Sequence, residues 1–328
     1  MIRIRKKTMT NSALPWDRID KPQSDFNVLL IAAGRQVPVY WARDAAGRCL
    51  YLVELHGDHS EQFRTNNTSV RGIDISLRQA TPSVQQLVLA VDRQVDLDLF
   101  YGLCSTLTGN LEPVEDPAVA LAVALQHIKR WKLFLAGRVA GILTQEELRG
   151  LYAELTILRH VIYVRGEIEG VTSWCGPDRT QQDFVFDDTA VEVKAISGQE
   201  RNSVRISSED QLESMTGRLF LTVVRLATSS DNGTSLNELV ASIEHAFSEP
   251  DAADGFIGKL ASYGYAPMNE YDSPKFNVLE TRFFRVQEDF PKLVRSGLPQ
   301  GIARVSYDLE IEALVPFECD SSDIFRGT

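Results

Sequence analysis

The chain has 328 residues, 44% of them apolar and 24% charged, and carries a net charge of −11. This balance excludes an intrinsically disordered chain, and the lack of any run of about 18 apolar residues excludes a membrane-spanning helix. Acidity excludes a uniformly basic, nucleic-acid-coating surface, although the excess is uneven: residues 226–328 hold 8 basic against 17 acidic side chains.

Met1 to Lys7 is basic but no apolar stretch follows it, so no secretory signal is expected. Cys49, Cys104, Cys175 and Cys319 are scattered, with no Cys-x-x-Cys pair. They fit reduced thiols in a cytoplasmic protein better than a disulfide frame or a zinc site. Residues 1–24 are polar and carry Pro15 and Pro22, which suits an arm laid over a domain. From Asn27 to Gln94, short runs such as Val28 to Ile31, Val37 to Trp41, Cys49 to Val53, Ile73 to Leu77 and Leu87 to Val91 predict an antiparallel, β-rich domain over 1–112. Within it His56-Gly57-Asp58-His59 has no third clustered ligand and reads as a polar loop.

Helical spacing then begins after Asp96, with Leu97, Phe100, Leu103 and Leu107 inward and Gly109 as a stop. Asp116-Pro117 opens a second helix that runs through Leu121, Leu125, Ile128 and Leu133 to Gly137. Its Lys129, Arg130 and Lys132 suit either solvent or phosphate contact. Thr144 followed by Glu147 is a capping-box signature for a third helix, whose inward stripe is Leu148, Leu151, Leu155 and Leu158. Glu154 falls within that stripe, and an acid there must be paired, metal-facing or neutral. Arg159 and Arg165 are its candidate partners.

Asp183 to Phe186 and Val191 to Ile196 are two strand-forming runs on either side of Asp187-Asp188-Thr189, which predicts a β-hairpin. A turn centred on Asp188-Thr189 sets Asp183 opposite Lys194 and Val185 opposite Glu192. Side chains alternate along a strand, so Asp183, Glu192 and Lys194 share one face while Phe184, Phe186, Val191 and Val193 fill the other. Two carboxylates suit Mg²⁺, and an ammonium beside them can hold an attacking water or lie against a phosphate. Glu-x-Lys also occurs on solvated strand faces without any function.

Further on, Ser203 to Ser207 predicts the next strand of the same sheet and Leu219 to Ala227 a buried central strand. Gln211, on a short turn capped by Ser208, can bond water or phosphate near Lys194, or equally a neighbouring backbone. Leu236 to Phe247 and Phe256 to Tyr263 predict helices, and Leu279 to Val286 and Ile302 to Leu314 predict strands. This α+β region, 227–328, shows no catalytic constellation and suits a cover, an assembly surface or a specificity element.

Together, Trp174-Cys175-Gly176-Pro177, Asp183-Phe184, Glu192-Val193-Lys194 and Ser207-Ser208-x-x-Gln211-Leu212 resemble the PD-(D/E)XK motif protein family, nuclease-like proteins often associated with restriction and anti-phage loci. The resemblance implies an α+β or α/β chain whose 113–226 segment is a restriction-endonuclease-like core, a mixed sheet flanked by helices. It implies a catalytic set of Glu154, Asp183, Glu192, Lys194 and Gln211. Within that set Asp183, Glu192, the Val193 carbonyl and Glu154 surround Mg²⁺, for which Mn²⁺ can substitute. The implied reaction is DNA hydrolysis to a 5′-phosphate and a 3′-hydroxyl; the implied partners are DNA, other defence-system subunits and a second copy of the chain, with no membrane. One departure stands out: Asp183 follows Gln182, whereas a literal Pro177-Asp178 lies 14 residues before Glu192. Either aspartate is open as the ligand, with Asp183 preferred because it begins an apolar strand. The alternative function is a catalytically inactive nuclease-fold subunit that serves a defence complex as a binding or assembly module. No Gly-x-x-x-x-Gly-Lys-Ser/Thr or Gly-x-Ser-x-Gly is present, which argues against a nucleotide-driven motor or a serine hydrolase.

Overall fold

The computed structural model describes residues 14–93, 95–137, 142–178, 180–198, 202–213, 216–229 and 232–325. The basic Met1 to Lys7 segment, the first half of the expected arm, the Leu133 side chain and Gln199 lie outside the described residues. The chain forms two compact units, Met1–Ala136 and Gly137–Thr328, rather than the three expected segments with breaks after 112 and 226.

In the first unit β1 (Phe26–Leu30), β2 (Val39–Asp44), β3 (Cys49–His56), β4 (Ile73–Thr81) and β5 (Val84–Val91) form one sheet in the order β1-β2-β3-β5-β4, antiparallel throughout. The central strands β3 and β5 are buried along nearly their whole length, as their continuous apolar runs require. A polar helix, α1 (Ser60–Asn66), has no buried residue and so left no apolar stripe to read in the sequence. Helices α2 (Leu97–Asn110) and α3 (Pro117–Gly137) start where the capping residues predict, with Asp96 accepting from the Asp98 N–H and Asp116 from the N–H groups of Ala118 and Val119. Lys132 of the basic face donates to Thr68 Oγ1 within this unit.

The described part of the N-terminal arm is anchored by Trp16. Its ring is fully buried, stacks on Phe100 at 5.4 Å, meets Trp41 edge-on at 4.9 Å, and donates from Nε1 to the Leu50 carbonyl at 2.8 Å. Trp16→Ala is therefore expected to cost about 3–5 kcal/mol, read as an earlier urea transition by circular dichroism. An unmoved transition would mean that the arm is dispensable for this unit.

The second unit begins with α4 (Gln145–Arg165), where Thr144 and Glu147 form the expected capping box and Leu148, Leu151, Leu155 and Leu158 are all buried. After α5 (Glu167–Ser173) come β6 (Phe184–Phe186), β7 (Thr189–Ser197), β8 (Ser203–Ile206) and β9 (Arg218–Ser229). Then follow α6 (Leu236–Ala246), α7 (Pro250–Tyr263), β10 (Lys275–Arg285), β11 (Tyr307–Glu310) and, at the end, β12 (Glu318–Cys319). The sheet runs β12-β10-β9-β7-β6; β7 and β9 are parallel and the other pairs antiparallel. Parallel neighbours need a crossover, and the segment containing β8 supplies it. Since β9 crosses the expected break at 226 and pairs with β10, the C-terminal region shares its sheet with the predicted core.

Two sequence expectations fail here. β8 joins β11 in a separate two-stranded ribbon, not the main sheet. Of the expected strand 302–314, only Tyr307–Glu310 is extended, and Ile311–Leu314 is helical. In both cases apolar residues are buried as expected, but the ribbon packs over the sheet: Val204, Ile206, Leu309, Ile311 and Leu314 share a core with Ala190, Ile196, Leu221 and Val223. No described helix is long and apolar enough to cross a membrane.

Candidate active site

The β6–β7 hairpin turns one residue earlier than the sequence suggests. Phe186 pairs with Thr189 and Phe184 with Val191, so the two-residue turn is Asp187-Asp188, with Asp187 at φ +49°. Asp183 thus stands at the level of Glu192 instead of Lys194, and its N–H donates to the Val191 carbonyl at 3.1 Å. A register slip of one residue would have reversed the faces, whereas this slip of two leaves them unchanged. Phe184, Phe186, Val191 and Val193 are buried as expected. Asp187 and Asp188 hold the turn in place: the first ion-pairs with Arg165 at the end of α4, and the second accepts from the Gly217 N–H at 2.6 Å.

Along β7 the face that carries chemistry reads Ala190, Glu192, Lys194, Ile196. Its neighbours on β9 are Leu219, Leu221, Val223 and Arg225. Hence Glu192, set between Ala190 and Lys194 and beside Leu221, is only 2% exposed. Lys194 Nζ lies 2.8 Å from Glu192 Oε1. Among the described residues Glu192 Oε2 has no hydrogen-bond partner. Asp183 is half-buried, and its Oδ2 accepts from the Val193 backbone N–H at 2.7 Å, which fixes the carboxyl across the hairpin. Glu154, on α4, is 7% exposed and accepts at Oε2 from the Trp174 indole Nε1–H at 2.8 Å. Of the two expected partners for Glu154, Arg165 pairs instead with Glu169 and Asp187, and Arg159 lines a different cavity with His160 and Tyr163.

These groups line one cleft of about 690 Å³, together with Arg149 of α4, Arg205 and Ser207 from the β8 segment, Gln211 and Asp308. Gln211 Oε1 accepts from the Ser207 N–H at 2.9 Å, the backbone role that the sequence left open. Asp178 is elsewhere: it ion-pairs with Lys259 at 3.1 Å and does not border the cleft.

The electrostatics follow from crowding acids in a dry place. Burial drives the Glu192 carboxyl up to about 8, with the charge on Asp183 adding to the effect and Lys194 opposing it. Desolvation outweighs the ion pair here. Asp183 rises to about 6 through burial, against the Val193 N–H and Lys194. Glu154 is held well above the usual carboxylate range, first by burial and then by the Asp183 charge. Three acids that repel one another, one of them with an orphaned buried oxygen, make a donor set that fits a hard divalent cation. Among the described residues no group of three His, Cys, Asp or Glu side chains is arranged so that it could hold a metal ion. Mg²⁺ needs none, since it binds through one or two carboxylates and keeps several waters.

Sequence reasoning missed three contributors. Arg149 and Arg205 reach the cleft from α4 and β8, and Gly176 packs its backbone against the Glu154 carboxyl. Only Gly176 had a signal, its place in the Trp174 to Pro177 turn. The others depend on contacts between segments far apart in the chain.

A family model described as "Putative PD-(D/E)XK family member, (DUF4420)" matches residues 12–312. No curated protein and no solved structure matches the chain.

Proposed function

Since the chain belongs to this PD-(D/E)XK family, whose fold is restriction-endonuclease-like and whose members are nuclease-like, we propose that it is a Mg²⁺-dependent endonuclease acting on DNA. The observation that carries this reading is the buried, unpartnered Glu192 Oε2 on the same wall as Asp183 and Lys194. Asp183, Glu192 and the Val193 carbonyl are the proposed cation seat, and Glu154 supports it. Mg²⁺ bound there supplies positive charge against the developing phosphorane, and Mn²⁺ substitutes for it.

The chain's own residues do the rest. Val193 and Trp174 fix the Asp183 and Glu154 carboxyls by hydrogen bonds, so the acids need no reorganisation when substrate arrives. Lys194 presents an ammonium to the attacking water and the scissile phosphate. Arg149 and Arg205 border the same opening and suit the flanking phosphates; Arg205 donates to Ser306 Oγ at 2.9 Å and lies 3.7 Å from Asp308, with the Arg205 and Asp308 side chains largely in solvent. The cleft lining also holds five acids, Glu146, Glu154, Asp183, Glu192 and Asp308, so phosphate contact rests on Arg149, Lys194, Arg205 and the bound cation together. In the reaction a water oxygen bonds to phosphorus, the bond from phosphorus to O3′ breaks, and the products are a 5′-phosphate and a 3′-hydroxyl. A role in restriction or anti-phage defence in the cytoplasm, with other subunits or a second copy as partners, rests on the family resemblance alone.

Incubating supercoiled plasmid with the full chain and Mg²⁺ or Mn²⁺ tests the reading. Metal-dependent nicking, abolished by EDTA, is expected. DNA retention with no nicking under either metal would instead favour the inactive nuclease-fold module.

A further inference from the structure

Helix α7, in the region that showed no catalytic constellation, reaches the helix that carries Glu154 along two routes. Along the first, Lys259 donates to the Trp174 carbonyl and lies 3.1 Å from Asp178 Oδ2, holding the Trp174 to Asp178 turn in place. Trp174 is fully buried, its ring centroid is 6.2 Å from that of Phe256 on α7, and its indole N–H holds Glu154 Oε2 at 2.8 Å. Along the second, the Tyr263 hydroxyl at the end of α7 donates to the Glu147 carbonyl at 3.4 Å, on the same helix as that acid. Gly176 closes a second side of the Glu154 carboxyl, since a Cβ there would overlap Glu154 Oε2 and come within 3.2 Å of Asp183 Oδ1. The carboxyl is gripped on two sides at the margin of the cleft.

We propose that Trp174, backed by Lys259 and Phe256 of α7, is a positioning residue that holds the Glu154 carboxyl beside Asp183 for a divalent cation, which makes α7 a working part of the site; this rests on the nuclease reading above. A cation site depends on the groups that orient its ligands about as much as on the ligands, and losing one typically weakens metal binding roughly 10–100-fold. A packing role alone would be indifferent to the indole N–H, since Phe keeps an aromatic ring.

The test is calorimetric titration of the full-length, metal-free protein with Mn²⁺ at pH 8, alongside its melting temperature. Lys259→Met and Gly176→Ala are each expected to weaken Mn²⁺ binding about 10-fold or more, with little change in Tm, and Trp174→Phe to do the same. Should Trp174→Phe fail to fold, the other two carry the test. In a Glu154→Gln background, Lys259→Met is expected to add nothing, because its effect passes through Trp174 to that carboxyl. Wild-type affinity in both Lys259→Met and Gly176→Ala, or an undiminished Lys259→Met effect without Glu154, overturns the inference and leaves the nuclease reading standing. A wild type that neither binds Mn²⁺ nor nicks DNA removes both.

Discussion

Lys194→Met slows single-turnover plasmid nicking at saturating Mg²⁺ by at least about 100-fold, the usual cost of removing one preorganised electrostatic group from a reaction that develops charge. The side chain is 17% exposed and lies 2.8 Å from Glu192, so its charge acts in a partly dry setting. Methionine keeps the length and the apolar stem while deleting the ammonium. Folding survives because Glu192, already driven up to about 8 by burial, takes a proton when its cation is gone instead of remaining as an unpaired buried charge. Lys194→Arg does not restore the rate, since a planar guanidinium cannot take the place of a compact ammonium. Circular dichroism matching the wild type shows that the fold is kept. A Lys194→Met rate within about threefold of wild type would leave Lys194 as a structural partner of Glu192 and remove it from the chemistry.

The legible part of this molecule is what short segments decide by themselves. Asp96, Asp116, Thr144 and Ser235 each cap a helix where a single side-chain oxygen can reach a free N–H, and that is visible in any sequence. The chemistry of β7 is legible for a similar reason, since alternation puts Glu192 and Lys194 on one face whatever the turn does. The turn itself falls one residue before its expected place because Asp187 adopts a left-handed conformation, which an Asp-Asp-Thr string does not announce. What stays hidden depends on distant partners. β8 pairs with β11, about a hundred residues later, and nothing in Ser203 to Ile206 distinguishes that from a place in the main sheet. Glu154 stands out in the sequence as an acid in an apolar stripe, yet its hydrogen-bond donor, Trp174, comes from the turn after α5, which Lys259 of α7 holds in place.

Glu192→Gln stabilises the metal-free protein at alkaline pH while abolishing cleavage, and this opposition is what a built cation seat predicts. Burial raises Asp183 to about 6 and Glu192 to about 8, so the folded chain keeps protons that the unfolded chain releases near pH 4. The stability tied to those protons is complete below about pH 4, declines as pH rises through the folded-state values, and levels off above about pH 8. Each tenfold difference in proton affinity between the folded and unfolded chain is worth about 1.4 kcal/mol. Glu192 alone therefore accounts for a loss of a few kcal/mol, part of it because Oε2 is ionised with no partner. Glutamine cannot ionise and escapes the loss. At pH 8.5 its Tm is expected to exceed that of the metal-free wild type by about 5 °C or more. Because a cation binds the deprotonated carboxylates, the Mn²⁺-induced rise in wild-type Tm grows from pH 6 to pH 8.5, and it is absent from Glu192→Gln. Differential scanning fluorimetry across that range, with and without Mn²⁺, reads both effects. If Glu192→Gln is the less stable protein at pH 8.5, or the Mn²⁺ effect on Tm is flat with pH, then Glu192 serves the fold as an ion-pair partner, and the cation seat must be sought elsewhere.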